Sequence, residues 1–113
     1  MTIPLEQNPD TTDWISIRQR IAQCRLRQTE RAGKLNAELN SAELEHYCKL
    51  DQKLRVNFSL AAEKLGLSAR AIHRLIKVAR TIADYENTEL TRQAHLWEAL
   101  SLRKSRFLHS ALR

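Results

Sequence analysis

The 113 residues predict an all-α fold, a small helical bundle of four main helices and one short one, on three observations. First, breakers are scarce: two glycines and two prolines occur, with both prolines before residue 10. A chain rich in Ala, Leu, Arg, Glu and Gln then propagates helix with little to stop it. Second, β-branched runs are absent and aromatic residues make up 5% of the chain, which leaves little material for strands. Third, apolar residues recur at three- and four-residue spacing along most of the length. A chain of this size makes one domain with one modest core. It has no room for a sheet-based nucleotide-binding domain as well.

Residues 1–12 are polar, hold Pro4 and Pro9 and show no periodicity, so they read as a flexible leader. Nothing in them looks like a natural opening element, and the chain is expected to begin mid-protein. Asp13 can cap a helix over 13–31. Trp14, Ile17, Ile21 and Cys24 share one face of it and are expected to be buried. Gly33 marks its stop, and residues 34–40 are a connector with Leu35 and Leu39 as anchors. A short helix spans 41–47, with Leu44 and Tyr47 facing in. Asp51 caps a helix to residue 65, lined inside by Leu54, Phe58, Ala61, Ala62 and Leu65.

Gly66 supplies the positive φ that ends that helix. Ser68 then caps the stretch around which the chain is organised, 68–86. Ala69, Ile72, Ile76, Ala79 and Ala83 form its apolar stripe, which Leu75, Val78 and Ile82 widen, so helices pack on two sides. Arg70, His73, Arg74, Lys77 and Arg80 occupy the remaining faces. Arg80 and Asp84 stand four residues apart, the spacing of a surface ion pair worth about half a kcal/mol. Thr91 can cap a last helix over 91–103, with Leu96, Ala99, Leu100 and Trp97 facing in. Residues 104–113 read as a basic, mobile tail.

The formal charge is +6, yet the last thirteen residues carry four basic side chains and no acidic one. Residues 1–100 hold 15 basic against 13 acidic, so the body has no broad cationic field of the kind nucleic-acid binding uses. No apolar run reaches membrane-spanning length. Cys24 and Cys48 have no zinc-ligand spacing and no signal peptide before them. They read as reduced thiols of a cytoplasmic protein, packed as small apolar residues. The four histidines show no metalloprotease pairing and read as surface or half-buried residues. With no convergent acid, base or nucleophile and no phosphate loop, the chain carries no catalytic residues and no metal site.

One functional reading is a helix-turn-helix DNA-binding module. Ala62, Gly66 and Ile72 have the small–glycine–aliphatic spacing of a tight helix corner, which would turn Ser68, Ala69, His73 and Arg74 toward base edges. Any such corner satisfies that spacing, and the body's near-neutral charge counts against it.

A second reading rests on four segments in order. These are Arg27-Gln28-x-x-Arg31-x-Gly33-Lys34-Leu35-Asn36, Gly66-Leu67-Ser68-Ala69-Arg70-Ala71, Val78-Ala79-Arg80-Thr81-Ile82-Ala83-Asp84, and His95-Leu96-x-Glu98-Ala99-Leu100. Together they resemble the C-terminal domain of magnesium-chelatase-like AAA+ proteins, in particular the competence-associated ComM/YifB group, over residues 13–103. The resemblance implies a helical lid that packs on an AAA+ core. It implies a sensor-2 arginine, matching Arg70, that reaches the γ-phosphate of ATP held with Mg by that core. Arg74, one turn on, could assist or meet a neighbouring subunit. It further implies a hexameric parent, with DNA branch migration and recombination in competence as its task and DNA as a partner. Arg27, Gln28 and Arg31 are either an interface with the core or a solvated face. Walker A and Walker B segments are missing from this sequence, so ATP hydrolysis is expected of the parent and not of this chain.

The physics of Arg70 agrees with that role. Its planar fork suits phosphate oxygens. A cation near a helix N-terminus is slightly unfavourable unless an anion sits beside it. Taken without the resemblance, Arg70 is a solvated helix residue.

Overall fold

The computed structural model describes residues 9–48 and 50–111, with side chains described for 13–48 and 50–103. The described residues form five α-helices: α1 Pro9–Ala32, α2 Ser41–Tyr47, α3 Gln52–Lys64, α4 Ala69–Tyr85 and α5 Gln93–Ala111. A single 3₁₀ turn, Asn36–Glu38, lies between α1 and α2. No strand occurs among the described residues, so the all-α bundle stands.

Local chemistry sets most helix ends. The Asn40 side chain accepts from the Glu43 N–H, while the Glu43 carboxylate accepts from the Asn40 N–H. This reciprocal pair starts α2. Asp51 accepts from the Leu54 N–H at 3.2 Å and Ser68 from the Ala71 N–H at 3.2 Å, starting α3 and α4 as the sequence predicts. At the end of α3, Gly66 has φ +80°. Its N–H donates to the Glu63 carbonyl and the Leu67 N–H to the Ala62 carbonyl. These paired bonds close the helix around a left-handed residue. Asn87, with φ 60°, closes α4 in the same way through Asn87 N–H to Asp84 and Thr88 N–H to Ala83.

Helix α4 is the centre. It packs against α5, α1, α2 and the 3₁₀ turn. Ile72, Leu75, Ile76 and Ala79 meet Leu39, Leu44, Phe58, Ala62, Leu96, Ala99 and Leu100 in one apolar cluster. Ala79 and Ala83 are fully buried, and Ala99 nearly so; small side chains here let neighbouring helices approach closely. Cys24 and Cys48 are free and buried, and burial pushes both thiols above their ordinary pKa.

Several boundaries and faces differ from the sequence reading. Helix α1 begins at Pro9 rather than Asp13, the fixed φ of proline suiting a first helical position. Helix α5 begins at Gln93, and Thr91 does not cap it. The His95 ring does so instead, its Nδ1 accepting the Arg92 N–H at 2.9 Å. That helix continues past residue 103 to Ala111. Residues 1–8 of the leader, and the side chains of 104–113, lie outside the described residues. The expected apolar stripe of α1 is covered only in part: Cys24 is 5% exposed, but Trp14, Ile17 and Ile21 are 64%, 36% and 45% exposed. A helix of 24 residues is about 36 Å long, and the body reaches only its second half. Leu65 and Val78 are likewise exposed.

Candidate functional site

Arg70 is the second residue of α4, one position past the start that Ser68 caps. Its side chain is exposed, as is that of Arg74 one turn later. Neither has a hydrogen-bond or ion-pair partner among the described residues. His73 and Lys77, on the same face, are half-buried. Ser41 Oγ and His73 Nδ1 are hydrogen-bonded at 3.2 Å, and Lys77 Nζ donates to the Ala37 carbonyl at 3.5 Å.

These four side chains form one wall of a cleft of about 830 Å³ between α4 and the chain from Ala37 to Leu44. No carboxylate lines it among the described residues. The nearby acids make their bonds outside the cleft, although the Lys77 charge also acts on Glu43. Glu43 bonds its own helix cap and Lys34 at 2.6 Å, which holds its carboxyl below the usual value. Glu45 pairs with Arg55, with the same effect. A second cleft, of about 620 Å³ between α1 and α4, mixes Arg20 and Arg25 with Glu86 and Glu98 and has no single charge character.

The other arginines of the signature segments do something different. Asp84 is 1% exposed and sits between two guanidinium groups and an amide. Arg80 Nη2 donates to Asp84 Oδ1 at 2.9 Å, Arg31 pairs with both carboxylate oxygens, and Asn36 Nδ2 donates to Oδ2 at 2.9 Å. Burial opposes ionisation of Asp84, but the bonds from Arg31 and Asn36 and the charge of Arg80 outweigh it and hold the carboxyl below its ordinary value. Arg80 also donates to the carbonyls of Thr88 and Glu89, pinning the loop after α4. Arg27 donates to the Asp84 carbonyl at 2.7 Å, and Gln28 accepts the Asn36 N–H at 2.8 Å. The Arg80–Asp84 pair is therefore not the surface pair its spacing suggests; Arg80 is 3% exposed. An i, i+4 spacing places two side chains on one face but does not say what covers that face.

The family of magnesium chelatase, subunit ChlI C-terminal, matches residues 12–103. The chain belongs to this family. Curated relatives agree. The competence protein ComM of Haemophilus influenzae is 49% identical over 87 residues, covering 77% of this chain and 17% of that protein. The YifB proteins of Escherichia coli and Salmonella typhimurium are 43% and 41% identical over 88 residues, covering 78% of this chain and 17% of each. The chain thus spans about a sixth of the length of these relatives.

In this ChlI C-terminal domain the sequence-predicted residues divide in two. Arg70 and Arg74 stand together in the cationic cleft. Arg27, Gln28 and Arg31 converge on Asp84 and Asn36, within the domain. Gln28 is 4% exposed and so is not part of a solvated face. Asn36, 1% exposed, and His95, 4% exposed, stand in the signature segments, but the sequence assigned neither a role, and His95 is buried rather than at the surface or half-buried. His95 Nδ1 accepts the Arg92 N–H, so its proton lies on Nε2 and is donated to Glu86 at 2.9 Å. Periodicity gave no sign of either, since each is polar and its partners lie outside its own helix face. No helix among the described residues is long and apolar enough to cross a membrane.

Proposed function

We propose that this ChlI C-terminal domain acts as the helical lid of an AAA+ ATPase, with Arg70 as its sensor-2 arginine. The observation that carries the reading is an exposed, unpartnered Arg70 in the first turn of α4, beside Arg74, in a cleft free of carboxylates among the described residues. Arg31, Arg55 and Arg80 are neutralised by acids of their own. In the proposal ATP and Mg are bound by a core domain of the parent chain, and Arg70 reaches the γ-phosphate from the lid, with Arg74 assisting. ADP lacks that phosphate, so the contact differs between nucleotide states and can drive lid closure. Arg27 and Arg31 keep part of their surface open toward that core, and Gln28 holds α1 beneath them. In the same proposal the parent is a cytoplasmic hexamer that remodels DNA by branch migration, as the family resemblance implies; the name of the ComM relative supports a link to competence alone.

The test is steady-state ATPase of the complete parent. Arg70→Ala should lower turnover while leaving this domain's melting temperature unchanged, because an exposed polar side chain contributes little to the core. Arg70→Lys should rescue poorly, since an ammonium lacks the planar fork. Lys53→Gln, on the exposed face of α3, is the control. Wild-type turnover in Arg70→Ala refutes the assignment.

The helix-turn-helix alternative has its corner: Ala62 and Ile72 are 1% and 6% exposed around Gly66. Its reading face is compromised, because Ser41 holds His73 and the Ser68 hydroxyl is used in capping. Sequence-specific DNA binding lost in His73→Ala would favour it.

A further inference from the structure

Trp14, Ile17, Ile21, Cys24 and Gln28 follow one another by three and four residues in alternation, the spacing of a seam along which one helix packs on another. The second half of this seam has its partner. Cys24 and Gln28 are buried, and the Cys24 thiol donates to the Thr81 carbonyl of α4 at 3.6 Å. Helix α4 then ends at Tyr85, whose ring lies 4.4 Å from the Arg20 guanidinium. The first half of the seam has no partner among the described residues, and Trp14, Ile17 and Ile21 stand exposed along it.

At these exposures the strip is an apolar patch on the order of 300 Å², a size that on a monomer is often an interaction site. It continues into the cleft between α1 and α4, which Ile21 and Cys24 line together with Leu35 and Ile82. Its edges are cationic. Arg18 and Arg25 stand along one edge, Arg20 and Arg27 along the other, and Asp13 is the one acid between residues 13 and 29. No acid among the described residues pairs with Arg18, Arg20 or Arg25.

Those charges select the occupant. A second copy of α1 would set arginine against arginine at the positions that flank a helical seam, which is unfavourable. A helix with Glu or Asp at those positions meets opposite charge instead. The area selects the source. A stable complex of separate proteins buries about 800 Å² on each partner, more than twice this strip. A helix of the same chain needs less, because its tether keeps its effective concentration high. This chain spans about a sixth of the ComM and YifB relatives, so a parent of their length has the chain to supply one.

We propose that the first half of α1 docks an amphipathic helix from the parent chain outside this domain, with one apolar stripe and Glu or Asp along both edges of it. The contact goes beyond the lid reading. Trp14, Ile17 and Ile21 do not line the cleft of Arg70 and Arg74, and no phosphate takes part. The contact therefore persists with ATP or ADP bound, as a fixed anchor about which a lid can move. It depends on the chain being part of a longer protein and not on Arg70.

The first test is hydrogen exchange of the backbone amides of residues 14–22, in this chain and in the complete parent. Exchange should be about tenfold slower or more in the parent, equally with ATP and with ADP. Equal exchange in this chain and the parent overturns the proposal, and slowing confined to the ATP state overturns the fixed anchor. The second test titrates this chain with synthetic three-heptad helices, followed by amide NMR. These carry Ile and Leu along the seam and either Glu or Lys at both flanking positions of each heptad. The Glu peptide should shift residues 13–25 at about 1 mM or below. Trp14→Ala should weaken it about tenfold. Arg18→Glu should weaken it more than Lys53→Glu, on the exposed face of α3. Thermal melts verify that each variant is folded. No shifts at about 1 mM, equal affinity for the two peptides, or equal weakening by the two charge reversals overturns the proposal. Self-association of this chain that Trp14→Ala abolishes would make the occupant a second copy. Binding to phosphatidylglycerol vesicles through Trp14, in preference to the Glu peptide, would make it a membrane surface; either result overturns the proposal. The two readings fail separately. Wild-type ATPase in Arg70→Ala removes the sensor-2 assignment and keeps this contact, and unprotected amides at 14–22 in the parent do the reverse.

Discussion

Asp84→Asn tests whether the polar centre holds the fold. Asparagine has nearly the same shape, so the change removes charge without opening a cavity. Asp84 and Arg80 are 1% and 3% exposed, and the variant leaves the Arg80 guanidinium charged and away from water. Breaking a buried pair from one side costs about 3–5 kcal/mol. Two features place this case at the lower end. Arg31 has 24% of its side chain exposed and can turn toward solvent. Arg80 keeps the carbonyls of Thr88 and Glu89. A loss of about 3 kcal/mol is then expected. At about 4 °C or more per kcal/mol for a domain of this size, melting falls by at least about 12 °C.

The pH dependence has a definite sign. The folded-state pKa of Asp84 lies below its unfolded value. Its contribution is therefore complete above the unfolded value of about 4 and is lost as pH falls through the folded value. Wild type should lose stability progressively below about pH 4, and Asp84→Asn should lack that part of the slope. The assay is urea unfolding followed by far-ultraviolet circular dichroism, at neutral pH and through the acid range. Adding Arg80→Met should restore part of the stability lost in Asp84→Asn, because it removes the stranded cation but also the bonds to the Thr88 and Glu89 carbonyls. A loss under about 1 kcal/mol at neutral pH, or an unchanged acid limb, refutes the reasoning.

Phe58, 3% exposed and edge-on to Trp97 at 6.2 Å, should cost about 3–5 kcal/mol as alanine in urea unfolding. Trp14→Ala, at a position 64% exposed, should cost about half a kcal/mol or less; a loss resembling that of Phe58→Ala would mean the first half of α1 is packed. Asn87 holds φ 60°, so Asn87→Gly should leave the melting temperature equal or higher, and Asn87→Val should lower it, with a stability loss of about 1 kcal/mol or more. Equal melts for the two variants would show that the left-handed turn is not what closes α4.

What could be read from the chain depended on the range of the interaction. Asp51 with Leu54, Ser68 with Ala71 and Gly66 with Glu63 act within three residues, so their chemistry is written in adjacent letters. The helical class, the centrality of α4 and the face carrying Arg70 and Arg74 followed from the same local periodicity, and the resemblance gave that face its expected role. The opposite wall of the cleft did not follow: Ser41 meets His73 across 32 residues. Nor did the centre of the fold. Asp84 meets Arg31 and Asn36 across 53 and 48 residues, and that convergence buries Arg80 with it. Trp14, Ile17 and Ile21 show the converse, an apolar stripe with good spacing and nothing over it. A helical period states which side chains share a face, whereas burial is decided by which other helix arrives there, and only the tertiary structure settles that.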